Sequence, residues 1–376
     1  MIDYGTLREI WWLLLGVLLI GFAVSDGYDL GIGAILRIIA HDDVERRMAL
    51  EAIEPHWEGH QVWLVVGGGA MFAAWPALYA GAFSAFYFAM LLVVAALILR
   101  PVGFAFRNKL PQARWRNAWD WALTIAGVVP ALVFGVAFGN LFLGVPFHFD
   151  SSLRMVLDGS FFALFHPFAL LVGVVSLSML VMHGACFAAM KIEAPVGTRA
   201  RRIARIAAVV TLLAFVGCGF WLLTISGHAL RGVIDHAGAS DPLLKQVVLV
   251  RGGWLANLTQ HPWTTLAPIL AVIAMFGVVL IGNRRIAFVA SMLAVACIVL
   301  TAGFGLFPFL LPSSTNPSHG LTVWDASSTQ RTLGNMLVAT SVLLPIVLAY
   351  STWAFRVMRG GITRAHVVDQ PSEGGY

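Results

Sequence analysis

Charge is scarce in this sequence. Of 376 residues only 11% are Asp, Glu, Lys or Arg, whereas a soluble domain carries about 25%. The remainder is 59% hydrophobic with a mean hydropathy of +0.83, which excludes an ordinary soluble domain and marks an integral membrane protein. Strict alternation of apolar and polar residues is also missing, so a closed barrel, the other way to satisfy backbone groups in lipid, is excluded. Cysteine is nearly absent. Cys186, Cys218 and Cys297 all lie in apolar runs without metal-like spacing and read as small buried hydrophobes. There is no Gly-rich phosphate loop, no HExxH and no nucleophile constellation, which removes hydrolytic chemistry. The first apolar run lacks a basic leader and a small-residue cleavage site, so it is expected to remain as a span. The formal charge of +5 falls between hydrophobic runs, where it sets topology and leaves no nucleic-acid patch.

What is present is a succession of apolar runs long enough to cross a bilayer, about 20 residues each. Spans are expected at 8–32, 60–79, 82–100, 117–142, 161–190, 203–226, 263–282, 286–310 and 332–356, giving an all-α polytopic membrane protein with nine transmembrane helices. The run from Val62 to Leu99 is too long for one crossing, and Trp75, Pro76 and Gly81 mark where it turns. With the amino terminus outside, all but Arg8, Arg154, Arg231, Lys245, Arg251 and Arg331 of the 24 basic residues fall in cytoplasmic segments. That asymmetry is a strong positive-inside signal, placing the amino terminus in the periplasm and the carboxyl terminus in the cytoplasm. The longest soluble piece, 227–262, is expected to be a short irregular or helical connection outside, and 365–376 a frayed tail.

Against this background "GFAVSDGYDLGIG", residues 21–33, stands out because it places Asp26 and Asp29 inside an apolar span. Asp26 lies 18 residues beyond Arg8, about 27 Å along a helix and therefore near the cytoplasmic side, with Asp29 on the same face. Glu58 in "PHWEGHQVW" and Asp120 in "RWRNAWDWAL" open their spans from that side too. Four carboxylates from three spans thus share one depth, while spans five to eight hold no acid. A charge at a helix centre costs about 2.5–3.5 kcal/mol on insertion scales, so such groups face a bundle interior or water. Each acid alone is as well read as a solvated or locally paired group, with Arg100 or Arg116 as partners; together they point to a hydrated, proton-exchanging vestibule.

Other residues carry weaker signals. His183 in "LVMHGACF" is a candidate haem ligand, weighed against the commoner packing histidine. His56 and His60 flank Glu58 two residues to either side, off its helix face, which suits an interfacial or loop role. Trp324 and Asp325 in "LTVWDASSTQ" are expected in an outer loop, available to a partner.

Several blocks in order, "IDYGTLREIWWLLLGVLLIGFAVSDGYDLGIG", "PHWEGHQVWLVVGGGAMFAAWP", "RPVGFAFRNK", "RWRNAWDWAL", "GVAFGNLFLGVPF", "TAGFGLFPFLLPSST" and "LTVWDASSTQ", resemble subunit II of the bacterial cytochrome bd ubiquinol oxidases, including their cyanide-insensitive variants. The resemblance runs from residue 2 to about residue 358. It implies two four-helix bundles plus one peripheral helix, and a heterodimer with a homologous haem-bearing subunit I in the inner membrane. That partner holds haems b and d and oxidises quinol, while this chain binds no haem of its own. A structural quinone, small single-helix accessory subunits and membrane lipid complete the implied set. The family's acidic positions match Asp26, Asp29 and Asp120, with Glu58 standing where Asp is usual and His60 where Asn is usual. The reading is a haem-free partner subunit whose Glu58, Asp26, Asp29 and Asp120 admit cytoplasmic protons. The competing reading is a stand-alone proton-coupled secondary transporter, although the acids cluster at one end and no second half mirrors them. Residues 1–142 are expected to form the first bundle, 143–310 the second with the outer loop 227–262, and 311–376 a loop, the ninth helix and the tail.

Overall fold

The computed structural model describes residues 2–232, 234–357 and 360–369. Thirteen α-helices carry the fold among them. They are α1 (Tyr4–Ile39), α2 (Asp43–Glu51), α3 (Trp57–Ala74), α4 (Pro76–Ala85), α5 (Tyr87–Arg107), α6 (Ala113–Leu143), α7 (Pro167–Lys191), α8 (Val196–Leu222), α9 (Ala256–Gln260), α10 (Leu266–Leu280), α11 (Arg284–Leu306), α12 (Gln330–Val357) and α13 (Arg364–Asp369). Eight of the helical segments are long and apolar enough to cross a membrane. The helix expected as a further crossing, α3, has 18 residues, and its first turns hold Glu58, His60 and Gln61, which lower its apolarity.

Helix α1 is the centre of the packing. It touches α3, α6, α7 and α11, while α5 packs on α6, α8 on α7 and α10, and α10 on α11. Close approach is written into its glycines. A Cβ on Gly31 would collide with the Leu180 carbonyl of α7, and one on Gly127 of α6 with the backbone of Leu30 and Ala34, so both contacts are open only to glycine. Helix α12 stands apart, with most of its surface exposed.

The segment ends follow ordinary capping chemistry. Asp42 caps α2 by accepting from the Glu45 amide at 2.8 Å, Asn283 caps α11, and proline sits in the first turn of α4 and α7, where no amide hydrogen is needed. Three small antiparallel hairpins gather where α1 begins: β1 (Phe147–Phe149) with β2 (Met155–Leu157), β3 (Ser226–Arg231) with β4 (Gln246–Arg251), and β5 (Phe309–Leu311) with β6 (Leu321–Thr322). The opposite end holds α2, α13 and most of the arginines.

Several expectations change. Helix α1 runs on to Ile39 instead of stopping near residue 32, because residues 33–39 are apolar apart from Arg37 and its acids are paired inside the protein. The stretch at 60–79 breaks at Trp75, whose backbone leaves the helix (φ −136°, ψ 76°) ahead of Pro76. The segment expected as a short irregular or helical connection, 227–262, holds the β3–β4 hairpin apart from Ser226, in which "QVVLVR" pairs register by register with "SGHALR". Trp324 and Asp325 are buried at 4% and 6% exposure and not free to dock: Trp324 stacks on His236 at 3.9 Å between centroids, and Asp325 meets Lys245 at 2.7 Å. Part of the supposed frayed tail is helix α13, which packs on α2 and buries Val367; residues 370–376 lie outside the described residues.

Candidate functional site

Asp26 and Asp29 sit two-thirds of the way along α1, where the helix is enclosed on several sides. Both are buried, as is Arg100 of α5. The Arg100 guanidinium donates to both carboxylate oxygens of Asp26, Nη1 to Oδ1 and Nη2 to Oδ2, the latter at 3.2 Å. A fork meeting a fork in this way is the strongest neutralisation a protein interior offers a carboxylate.

Asp29, one turn on, faces α3 instead. Its Oδ2 lies 2.8 Å from Nδ1 of His60, and the other ring nitrogen of His60 lies 3.2 Å from the Tyr28 hydroxyl. With the hydrogen on Nδ1, the ring donates to Asp29 and accepts from Tyr28, so a neutral imidazole completes the set. The other oxygen of Asp29, Oδ1, is buried with no hydrogen-bond partner among the described residues. Tyr28 is held flat against Phe187 of α7, 4.1 Å between centroids.

Glu58 and His60 stand on opposite sides of the same turn of α3. His60 points inward; Glu58 is exposed and makes no hydrogen bond among the described residues. The outward face it shares is apolar, with Val62, Val65, Val66 and Phe72 all exposed.

Asp120 belongs to a separate network. It is fully buried, with Arg107 Nε of α5 at 2.6 Å and Arg46 Nη1 of α2 at 2.8 Å. Arg107 also reaches Asp43 at 2.9 Å, and Asp43 reaches Arg116 at 2.7 Å. Removing one partner from a buried pair costs about 3–5 kcal/mol, so this cluster pins α2 onto the ends of α5 and α6. The structure therefore joins Asp26 and Asp29 through adjacent turns of α1, puts Glu58 on the outer flank, and ties Asp120 to a different set of arginines.

Residues beyond the expected four complete the picture. His60 was assigned an interfacial role and is instead the inward partner of Asp29; the signal available was its offset of two from Glu58, which puts the two on different faces. Arg100 was a named local base and proves to be the partner of Asp26. His183 is buried with both ring nitrogens engaged, Nε2 donating to the Val24 carbonyl and Nδ1 against the Ser291 hydroxyl, each at 2.8 Å. It offers no free lone pair to an iron, and the residues around it do not fit a haem ligand. Among the described residues no group of three His, Cys, Asp or Glu could hold a metal ion. His56, in the connection ahead of α3, is pushed down to about 4, chiefly by burial and further by the electrostatic influence of its neighbours His60 and Lys191.

These features define a polytopic helical membrane subunit with carboxylates neutralised in its interior and an ionisable turn leading to its flank. The chain belongs to the cytochrome bd terminal oxidase subunit II family, whose model matches residues 7–358. It is 48% identical over 98% of both chains to cytochrome bd-I ubiquinol oxidase subunit 2 of Escherichia coli K12. Against the probable cytochrome oxidase subunit 2 of Haemophilus influenzae the identity is 48%, over 98% of both chains. With cytochrome bd ubiquinol oxidase subunit 2 of Bacillus subtilis it is 29%, over 94% of this chain and 96% of the other. Among solved structures, a chain of the bd oxidase from Geobacillus thermodenitrificans has the same fold, with a TM-score of 0.66 at 18% identity over 94% of this chain and 98% of that one. This chain is thus a terminal oxidase subunit and not a stand-alone transporter.

Proposed function

We propose that the chain is the haem-free half of a quinol:oxygen oxidoreductase in the bacterial inner membrane, joined to a haem-bearing subunit I. It stabilises that partner and supplies a proton-uptake path from the cytoplasm. The haems b and d expected in the partner supply the oxygen reduction; the residues of this chain hold and pass protons. Reducing O₂ to two waters takes four electrons and four protons, so one proton must arrive for each electron. The observation that carries the reading is the first turn of α3, which presents Glu58 to the outer flank and His60 to the buried Asp29. An ionisable side chain on an apolar outer face suits a lateral hand-over to a neighbouring subunit. The Oδ1 of Asp29, unpartnered among the described residues, leaves an acceptor open to a proton at the inner end. Asp26, held by the Arg100 guanidinium, lies beside that end, and Asp120 anchors the entrance through Arg46 and Arg107.

Orientation follows from the arginines. The end carrying α2 and α13 is the cytoplasmic one and the hairpin end is periplasmic, which puts the amino terminus outside and the carboxyl terminus inside. An apolar cavity of about 560 Å³ between α7, α8, α10 and α11, lined by Phe168, Phe215, Trp254, Ile269 and Ile298 among others, fits the isoprenoid tail of a structural quinone, which would add packing and no redox step. The exposed α12 suits small single-helix accessory subunits.

The test is Glu58→Gln in intact, fully haem-loaded complex. A fall in quinol oxidase turnover with unchanged pigment spectrum supports the path, and unchanged turnover removes Glu58 from it. Purification through this chain without a haem-bearing partner would overturn the reading as a whole.

A further inference from the structure

Arginines at the α2 end fall into two groups. Arg46, Arg100, Arg107, Arg116, Arg199 and Arg364 each lie within 4 Å of a carboxylate. Arg201 and Arg205 of α8 and Arg284 of α11 have no carboxylate within that distance among the described residues. Arg201 is only 9% exposed. One of its terminal nitrogens donates to the Ile281 carbonyl, while Nε and Nη1 are buried without a hydrogen-bond partner that meets ordinary geometry among the described residues. Its electrostatic neighbours are the Cys186 thiol, close enough to interact favourably with the guanidinium, and then Arg205 and Arg284; the two arginines add positive charge to positive charge. The one nearby acid in the α7–α8 connection, Glu193, is occupied by the Arg364 amide at 2.5 Å.

A buried guanidinium that lacks a counter-charge and faces two more of its own sign is costly. The cost falls if an anion seats against the exposed pair, Arg205 and Arg284. The surface below them indicates what the anion is attached to. Ile206, Val209, Val210 and Leu213 of α8 and Ile273, Phe276 and Leu280 of α10 are all exposed, and these two helices pack side by side. Arg205 stands nine residues into α8, about 13 Å from its start, at the head of this apolar strip, where its stem can lie along lipid and its head reach the interface.

We propose that Arg205 and Arg284, backed by the buried charge of Arg201, bind the phosphate of an anionic phospholipid whose acyl chains lie along the α8–α10 face. Basic pockets between membrane helices recognise anionic head groups through this combination of charge and apolar bed.

The test is native mass spectrometry of the delipidated complex titrated with phosphatidylglycerol or with phosphatidylcholine of the same acyl composition. The expected result is one retained phosphatidylglycerol, bound at about tenfold lower concentration than phosphatidylcholine. Arg205→Gln/Arg284→Gln should remove that preference, Arg205→Gln alone should reduce it, and Arg331→Gln at the opposite end should leave it unchanged. Millimolar inorganic phosphate should not displace the lipid; displacement would make this a free-phosphate site and overturn the assignment to phospholipid. Equal binding of the two lipids by the parent complex, or an unchanged preference in the double variant, would overturn it as well.

Discussion

His60 and Asp29 lie on different helices, and Nδ1 of the one is 2.8 Å from Oδ2 of the other. This is the only hydrogen bond Asp29 makes among the described residues. His60→Leu should therefore strand a buried carboxylate, lowering stability by about 1–3 kcal/mol. His60→Asn, which can still donate to the carboxylate, should keep most of it. Thermal unfolding of the detergent-solubilised complex checks both, and equal midpoints for the two variants would contradict the assignment.

For Arg100 and Asp26 a double-mutant cycle is the informative measurement. Arg100→Leu or Asp26→Leu alone leaves an uncompensated buried charge and should cost about 3–5 kcal/mol. The double variant should recover a large part of that cost, because an apolar pair replaces an ionic one of similar volume. Additive losses would mean that the pair is not coupled.

Asp120 offers a local readout. Replacing it with Asn removes the charge shared by Arg46 and Arg107, so α2 should loosen at the end of the bundle while the interior of α1 keeps its protection. Amide hydrogen exchange across residues 40–56 should rise by at least about tenfold, the factor for 1.4 kcal/mol; unchanged exchange there would reassign the network.

His56 predicts a pH dependence with a definite sign. Burial, followed by the electrostatic influence of the neighbouring His60 and Lys191, holds it at about 4 against an ordinary 6.5. Between those values the unfolded chain binds the proton that the folded one refuses. The contribution to stability is therefore complete above about 6.5 and is lost as pH falls toward about 4. His56→Gln should flatten the unfolding midpoint across that window, which a thermal series at fixed ionic strength would register.

How much of this was legible beforehand divides by length scale. The spans followed from apolar runs, and the split between Val62 and Leu99 followed from Trp75 and Pro76, because backbone chemistry is local. The depth of Asp26 and Asp29 was legible for the same reason. The partners were not: Arg100 is 74 positions from Asp26 and His60 is 31 from Asp29, and which faces meet is settled by the glycine contacts of α1 with α6 and α7. The β3–β4 hairpin was not legible because "DHAGASDPLLKQ" separates two six-residue strands and "QVVLVR" shows no apolar–polar alternation. A lone loop aromatic such as Trp324 gives no sign in the sequence of the histidine that stacks on it.

The 74-residue gap between Asp26 and Arg100 also constrains how the protein is made. Synthesis starts at the amino terminus, so α1 reaches the bilayer carrying its acids well before the neutralising guanidinium has left the ribosome. During that interval Asp26 lacks the guanidinium that pairs with it in the folded protein, and its helix bears the insertion cost of the unpaired acid. The order in which helices emerge, and not only their final packing, thus limits where in this chain an acid can be placed.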